Sequence, residues 1–331
     1  MELLRLFAMF LVMLVHTSFL AFGMPTTEEC HTDAAGSFRV FLTESFSVVC
    51  VNIFVLLSGW FGIKFDVKKI VGLFFQAFFF AAIVLAGVVI VAPDKFLHAQ
   101  NLTTLFMLNE SDYWFIKAYI GLCFLAPFFN AFIEKSTEKE LRLMLIVFYV
   151  FQTIYGWLSI DGAGWLEGGY SAVSFFGLYL LARYVRLYGQ QWIDKKWQCH
   201  LSVYVGIAIV QLILAFCVTY AGVPIAGRLF TYTNPLVILQ SLALLLFFNK
   251  LSFQSHIINW MASSCVAVYL LHANELVLRN YYGPTAKHIS DTLTWPLSFF
   301  GIAAFIAVIF ISAILIDKVR IVIWRFISRQ H

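Results

Sequence analysis

Two ionisable residues sit on one apolar stretch at the start of the chain. In Glu2-Leu3-Leu4-Arg5-Leu6-Phe7-Ala8-Met9-Phe10-Leu11-Val12-Met13-Leu14-Val15-His16, only Arg5 and His16 interrupt the hydrophobic run after Glu2. Eleven positions apart on a helix is about three turns, roughly 16 Å, so both side chains point almost the same way. A guanidinium there suits a phosphate at the membrane surface. An imidazole deep in the span suits proton transfer near neutral pH, or brief carriage of an acyl group. The plainer alternative makes Arg5 a snorkelling anchor and His16 a buried residue satisfied by a neighbouring helix.

Other polar residues inside apolar runs narrow the choice. Glu44 and Ser47 lie three apart and share a helix face, with Asn52 following and Leu57-Ser58-Gly59-Trp60-Phe61 closing the run. Ser47, Asn52 and Ser58-Gly59 read as helix packing through small and hydrogen-bonding residues. Glu44 requires a partner or water, because a carboxylate in a bilayer is costly. Later, Val268-Tyr269-Leu270-Leu271-His272-Ala273-Asn274-Glu275 places a second histidine inside a run, and Glu275 is spaced to pair with Arg279. Two such histidines, each with a candidate carboxylate, point to one polar cavity. Tyr113-Trp114-Phe115-Ile116-Lys117 opens another run, where an interfacial aromatic belt is an equal explanation.

The elements that hold these residues follow from composition. Hydrophobic residues make up 61% and charged residues 12% of 331, against roughly 45–50% and 25% in soluble domains. Apolar runs recur to the end of the chain, which makes it an all-α, polytopic membrane protein with a single domain over 1–331. About ten spans are expected, near 3–23, 39–62, 69–92, 113–133, 141–160, 170–189, 201–221, 233–249, 260–281 and 293–316. The polar connections 24–38 and 93–112, with linkers 161–169, 222–232 and 282–292, share one face. The first run has no small-residue cleavage site after it and reads as a retained span.

Of 22 basic residues, fifteen fall on the opposite face: Lys64, Lys68, Lys69, Lys135, Lys139, Arg142, Arg183, Arg186, Lys195, Lys196, Lys250, Lys318, Arg320, Arg325 and Arg329. The positive-inside rule then makes both termini cytoplasmic. The net charge of +4 is accounted for in this way and does not suggest nucleic acid. Six scattered cysteines form neither a metal-binding pattern nor a disulfide framework.

Arg5-x10-His16, Phe54-x3-Ser58-Gly59-aromatic, Trp114-Phe115 and Tyr269-Leu-Leu-His272 together resemble the acyltransferase-3 family of integral membrane acyltransferases. The resemblance extends over nearly the whole chain, and Arg-x10-His is its most specific part. Glu2 stands where the family often has Asp. Such proteins are bacterial plasma-membrane enzymes that move an acyl group, commonly acetyl from cytoplasmic acetyl-CoA, to a hydroxyl of a surface or envelope glycan. The chain corresponds to the membrane part alone.

No metal is expected from the residue pattern, and the resemblance implies acyl-CoA, a glycan or lipid-linked glycan, and membrane lipids as partners. It makes His16 the base or acyl carrier, with Glu44 orienting the imidazole and His272 joining the catalytic group. Arg5, Lys68, Lys69, Arg183 and Arg186 are the cations available to CoA phosphates; for the last four, positive-inside retention is a sufficient reason by itself. Trp114, Lys117 and Glu275 are expected on the acceptor side. A transporter or flippase for a lipid-linked glycan, its polar residues lining a route, is the competing class. A glycan polymerase is a third, although the longest loop is only about twenty residues.

Overall fold

The computed structural model describes residues 1–159, 164–252 and 254–328. Arg329 of the basic tail and part of the 161–169 linker lie outside the described residues. Every regular element among the described residues is helical. Among the described residues, seven helices are long and apolar enough to cross a membrane: α1 (Glu2–Phe22), α2 (Ala34–Phe61), α3 (Val67–Val91), α4 (Trp114–Lys135), α5 (Glu138–Leu158), α7 (Trp197–Tyr220) and, at the end, Leu297–Ile327 of α10 (Leu297–Ser328).

The other three expected spans are shorter or broken. α6 (Ala172–Tyr188) has 17 residues and α8 (Pro235–Asn249) has 15. The stretch expected at 260–281 is split into His256–Ala262, α9 (Cys265–His272), Glu275–Val277 and a π-helical turn, Leu278–Tyr282.

Helix starts follow the sequence. Asp33 caps α2 through the Gly36 N–H at 2.8 Å, and Asp66 caps α3 through the Lys68 N–H at 2.9 Å. Thr137 and Glu140 form a reciprocal capping box on α5, and Asn234 caps α8 ahead of Pro235. A second capping box, Thr26 with Glu29, starts the short connecting helix Thr27–Thr32. The Thr26 backbone N–H and hydroxyl hold the Glu29 carboxyl below its usual range.

The burial pattern is inverted relative to a water-soluble protein. Phe78, Phe128, Ile146, Val147, Val308 and Ile311 face outward, while Glu44, Ser45, Ser47, Asn52, Gln211, Gln240 and Ser241 are buried. A bundle surrounded by lipid has this arrangement, because only its interior can satisfy polar groups.

α2 runs through the centre. Its helix is interrupted at Val48-Val49, and Gln240 and Tyr204 side chains donate to the carbonyls of Ser45 and Phe46 there, at 2.9 and 2.6 Å. Near its other end Gly59 presses on α6: a Cβ at that position would lie 2.5 Å from the Tyr179 carbonyl oxygen. That contact explains the small residue in Ser58-Gly59-Trp60. Ser58 donates to the Phe54 carbonyl and meets the Tyr119 hydroxyl, consistent with a packing role. α10 docks on α3 through a buried group in which Asp317 accepts from Gln76 at 2.9 Å and Arg320 at 2.7 Å.

Candidate functional site

Two irregular helices create the site. The last part of α1, from His16 to Phe22, winds as a π-helix. Where the turn widens, the hydroxyls of Thr17 and Tyr282 both donate to the Met13 carbonyl at 2.9 Å. α9 stops at His272. Asn274 restarts the chain as a helix cap, its side-chain oxygen accepting from the Leu276 N–H at 3.0 Å. Its amide donates to the Tyr113 hydroxyl, which donates in turn to the Leu270 carbonyl at 2.7 Å. The break is therefore satisfied from within, as broken membrane helices must be.

The two irregularities bring the histidines together. His16 Nδ1 and His272 Nε2 are 3.0 Å apart, and His272 Nδ1 is 2.6 Å from the Val268 carbonyl oxygen. A carbonyl only accepts, so His272 carries its proton on Nδ1. With both rings neutral, His272 Nε2 accepts, His16 Nδ1 donates, and His16 Nε2 keeps a bare lone pair. The tautomers follow from this network.

His16 lines a cavity of about 880 Å³. His272 is fully buried, packed against Tyr282 and behind His16, and does not line that cavity. It meets the cavity only through His16.

Glu44 lines the same cavity but makes no hydrogen bond to His16 among the described residues; His272 occupies the position expected of it. The Glu44 side chain is 3% exposed, and its Oε2 has no hydrogen-bond partner among the described residues. Trp114 is on the wall with Tyr170 and Tyr232, ring centroids 4.4 and 6.3 Å away. Glu275 is also on the wall and pairs with Arg279, as the spacing implied. Lys117 is not: its ammonium donates to the Asn109 and Glu110 carbonyls at 2.7 and 2.8 Å, bracing the preceding loop.

None of the five cations expected for CoA borders the cavity. Arg5 pairs with Glu2 at 2.7 Å. Arg183 lies over Gly62, its Nε buried without a partner. Arg186 covers the Trp60 ring at 4.8 Å, Lys69 makes a loose 3.9 Å contact with Asp66, and Lys68 is exposed.

Tyr113, Tyr170, Tyr232, Asn274 and Tyr282 were not foreseen as parts of the site. Asn274, two residues after His272, was the one local signal, since Asn is a strong helix cap. The tyrosines come from distant segments and carry no spacing pattern.

An all-helical bundle of apolar spans, with an imidazole presented to an internal cavity, defines a multi-pass membrane protein. A family model described as an acyltransferase domain matches residues 1–316, and the chain belongs to the acyltransferase-3 family. It is a membrane acyltransferase. Searches of curated proteins and of solved structures return no match.

Proposed function

We propose that this protein transfers an acyl group, acetyl, from cytoplasmic acetyl-CoA to a hydroxyl of a surface or envelope glycan in the bacterial plasma membrane. In this reading all ten expected spans cross the bilayer, the single domain fills the chain, and both termini are cytoplasmic, as the basic-residue asymmetry requires. The observation that carries it is the pair of imidazoles: His16 Nδ1 is occupied by His272, and His16 lines the cavity with no hydrogen-bond partner for Nε2 among the described residues.

The acceptor hydroxyl gives its proton to His16 Nε2 while its oxygen attacks the thioester carbonyl. The carbon–sulfur bond then breaks, and the departing CoA thiolate takes the proton from His16. His272 fixes the tautomer and orientation of the base, the role a carboxylate plays in a serine-protease triad. Arg5 remains the candidate for a CoA phosphate, roughly 16 Å along α1 from His16, comparable to an extended pantetheine arm. The unpartnered Nε of Arg183 suits the same anion. Lys68, Lys69 and Arg186 supply further positive charge at that end.

The test uses purified protein in lipid nanodiscs, labelled acetyl-CoA and a panel of envelope glycans. Transfer by the wild type is expected. Arg5→Ala should weaken acetyl-CoA binding by the loss of a contact of about 1.5–3 kcal/mol. His16→Ala should leave that binding nearly intact and lower transfer by roughly 10²–10⁴-fold. Wild-type transfer by His16→Ala would overturn the proposal.

A further inference from the structure

Once His272 is seen to hold His16, Glu44 has no assigned task. It is a carboxyl buried in the interior of a membrane protein, 3% exposed, with Oε2 unpartnered, on the wall of the cavity that His16 also lines. Evolution of a packing residue would not require such a group, because an unsatisfied buried polar atom is destabilising. A group of this kind is explained when a ligand completes its hydrogen bonds.

The neighbouring wall indicates what the ligand presents. Trp114, Tyr170 and Tyr232 form a contiguous aromatic surface in which Tyr170 and Tyr232 are 5.1 Å apart by ring centroids. Tyr170 is 45% exposed, so its face is open to the cavity. The surface is rigidly built. Asn52 donates to the Tyr232 carbonyl at 3.1 Å, and Thr233 and Asn234 are bonded to the Gly156 and Leu229 carbonyls. Gly169, at φ +106°, allows Tyr170 to sit against Tyr232, because a Cβ there would meet the Tyr232 Cβ at 2.4 Å. Aromatic faces carry partial negative charge and attract the partly positive C–H face of a ring that is saturated and edged with hydroxyls. The cavity volume of about 880 Å³ lies within the roughly 300–1,000 Å³ of small-ligand sites.

We propose that Glu44 and the Trp114–Tyr170–Tyr232 surface form the subsite for one pyranose ring of the acceptor. The ring stacks on the aromatic surface, and a ring hydroxyl beside the acylated one donates to Glu44. Glu44 is then a specificity-determining residue and not the partner of the base. The inference rests on the acyltransferase reading above, and deepens it.

Two measurements on the full chain in nanodiscs test it. One is binding, without acyl-CoA, of methyl pyranosides (gluco, galacto, manno and the 2-acetamido forms), read by saturation-transfer NMR. The other is the KM-against-kcat split for the envelope glycan that accepts acetyl. At least one pyranoside should bind the wild type. Glu44→Gln, which is isosteric, should weaken that binding and raise the acceptor KM about tenfold or more, with most of the effect in KM. Tyr170→Ala should weaken binding about five- to tenfold, and Tyr170→Phe should restore it. Failure of every pyranoside to bind, or a fall in kcat at constant KM in Glu44→Gln, overturns the subsite. Transfer with an unchanged KM in both Glu44→Gln and Tyr170→Ala sinks this inference and leaves the function standing. Sugar binding without any acetyl transfer supports the subsite and overturns acetyl-CoA as the donor.

Discussion

Replacing His272 with Leu tests the pairing of the imidazoles directly. The residue is fully buried and lies behind His16, away from the cavity. Leu fills similar volume, so what is lost is the acceptor 3.0 Å from His16 Nδ1, together with the donor to the Val268 carbonyl, which also accepts within its own helix. No water replaces it in a sealed position. An unpaired buried donor costs about 1–3 kcal/mol, equivalent to a loss of roughly 5–150-fold if the whole cost falls on the reactive geometry. If the ring also settles in the wrong tautomer, the loss approaches the ~10⁴-fold seen when a triad imidazole is misassigned. The assay is acetyl transfer in nanodiscs, with acetyl-CoA binding and the melting temperature in detergent measured alongside. Transfer should fall while acetyl-CoA binding holds. His272→Gln, whose amide oxygen reaches the position of Nε2, should recover much of it. Because His272 acts through His16, adding His272→Leu to His16→Ala should have little further effect. Independent, multiplying losses in the double variant would refute the reasoning, as would full activity in His272→Leu.

Reporter fusions near residues 65, 136, 190, 252 and the C-terminus should read cytoplasmic, and those near 30, 100, 165, 227 and 287 external; a cytoplasmic signal at 100 would reject the ten-span arrangement. Gly59→Ala should lower the melting temperature in detergent, since the new Cβ falls 2.5 Å from a backbone oxygen of α6 that cannot turn aside, an overpacking worth about 1–3 kcal/mol. An unchanged melting temperature would show that the α2–α6 contact relaxes freely.

What the sequence made legible was what depends on local spacing. The apolar runs mark seven helices of membrane-crossing length. Asp33, Asp66, Thr137 and Asn234 mark helix starts, and Glu275 with Arg279 lies one turn apart. Arg-x10-His carried the family. The partner of His16 was not legible, because the two histidines are 256 residues apart and meet only through packing. Glu44 is expected at the imidazole because a carboxylate inside a span needs a partner. Nothing in the sequence said that a second imidazole, itself held by the carbonyl one turn earlier, fills that position. Lys117 sits beside Trp114 in sequence, yet its side chain turns to the loop carbonyls and leaves the wall to the aromatic ring.

Several residues that line the cavity, His16, Glu44 and Trp114 among them, sit beside breaks in regular backbone. α1 becomes π-helical at His16, and α2 is interrupted between Glu44 and Cys50. α9 ends just after His272, and Tyr113 takes a left-handed conformation at φ +46° immediately before Trp114. A non-glycine residue in that region costs roughly 1–2 kcal/mol, and each break releases backbone groups that lipid cannot satisfy. The compensation comes from side chains outside the cavity: Thr17 and Tyr282 on the Met13 carbonyl, Tyr204 and Gln240 on α2, and Tyr113 on the Leu270 carbonyl. A continuous α9 would remove the Asn274 cap that sets where Glu275 and Arg279 meet the cavity. The strained backbone is therefore what aims the groups proposed to react, and a hidden set of hydroxyls and amides holds it in place.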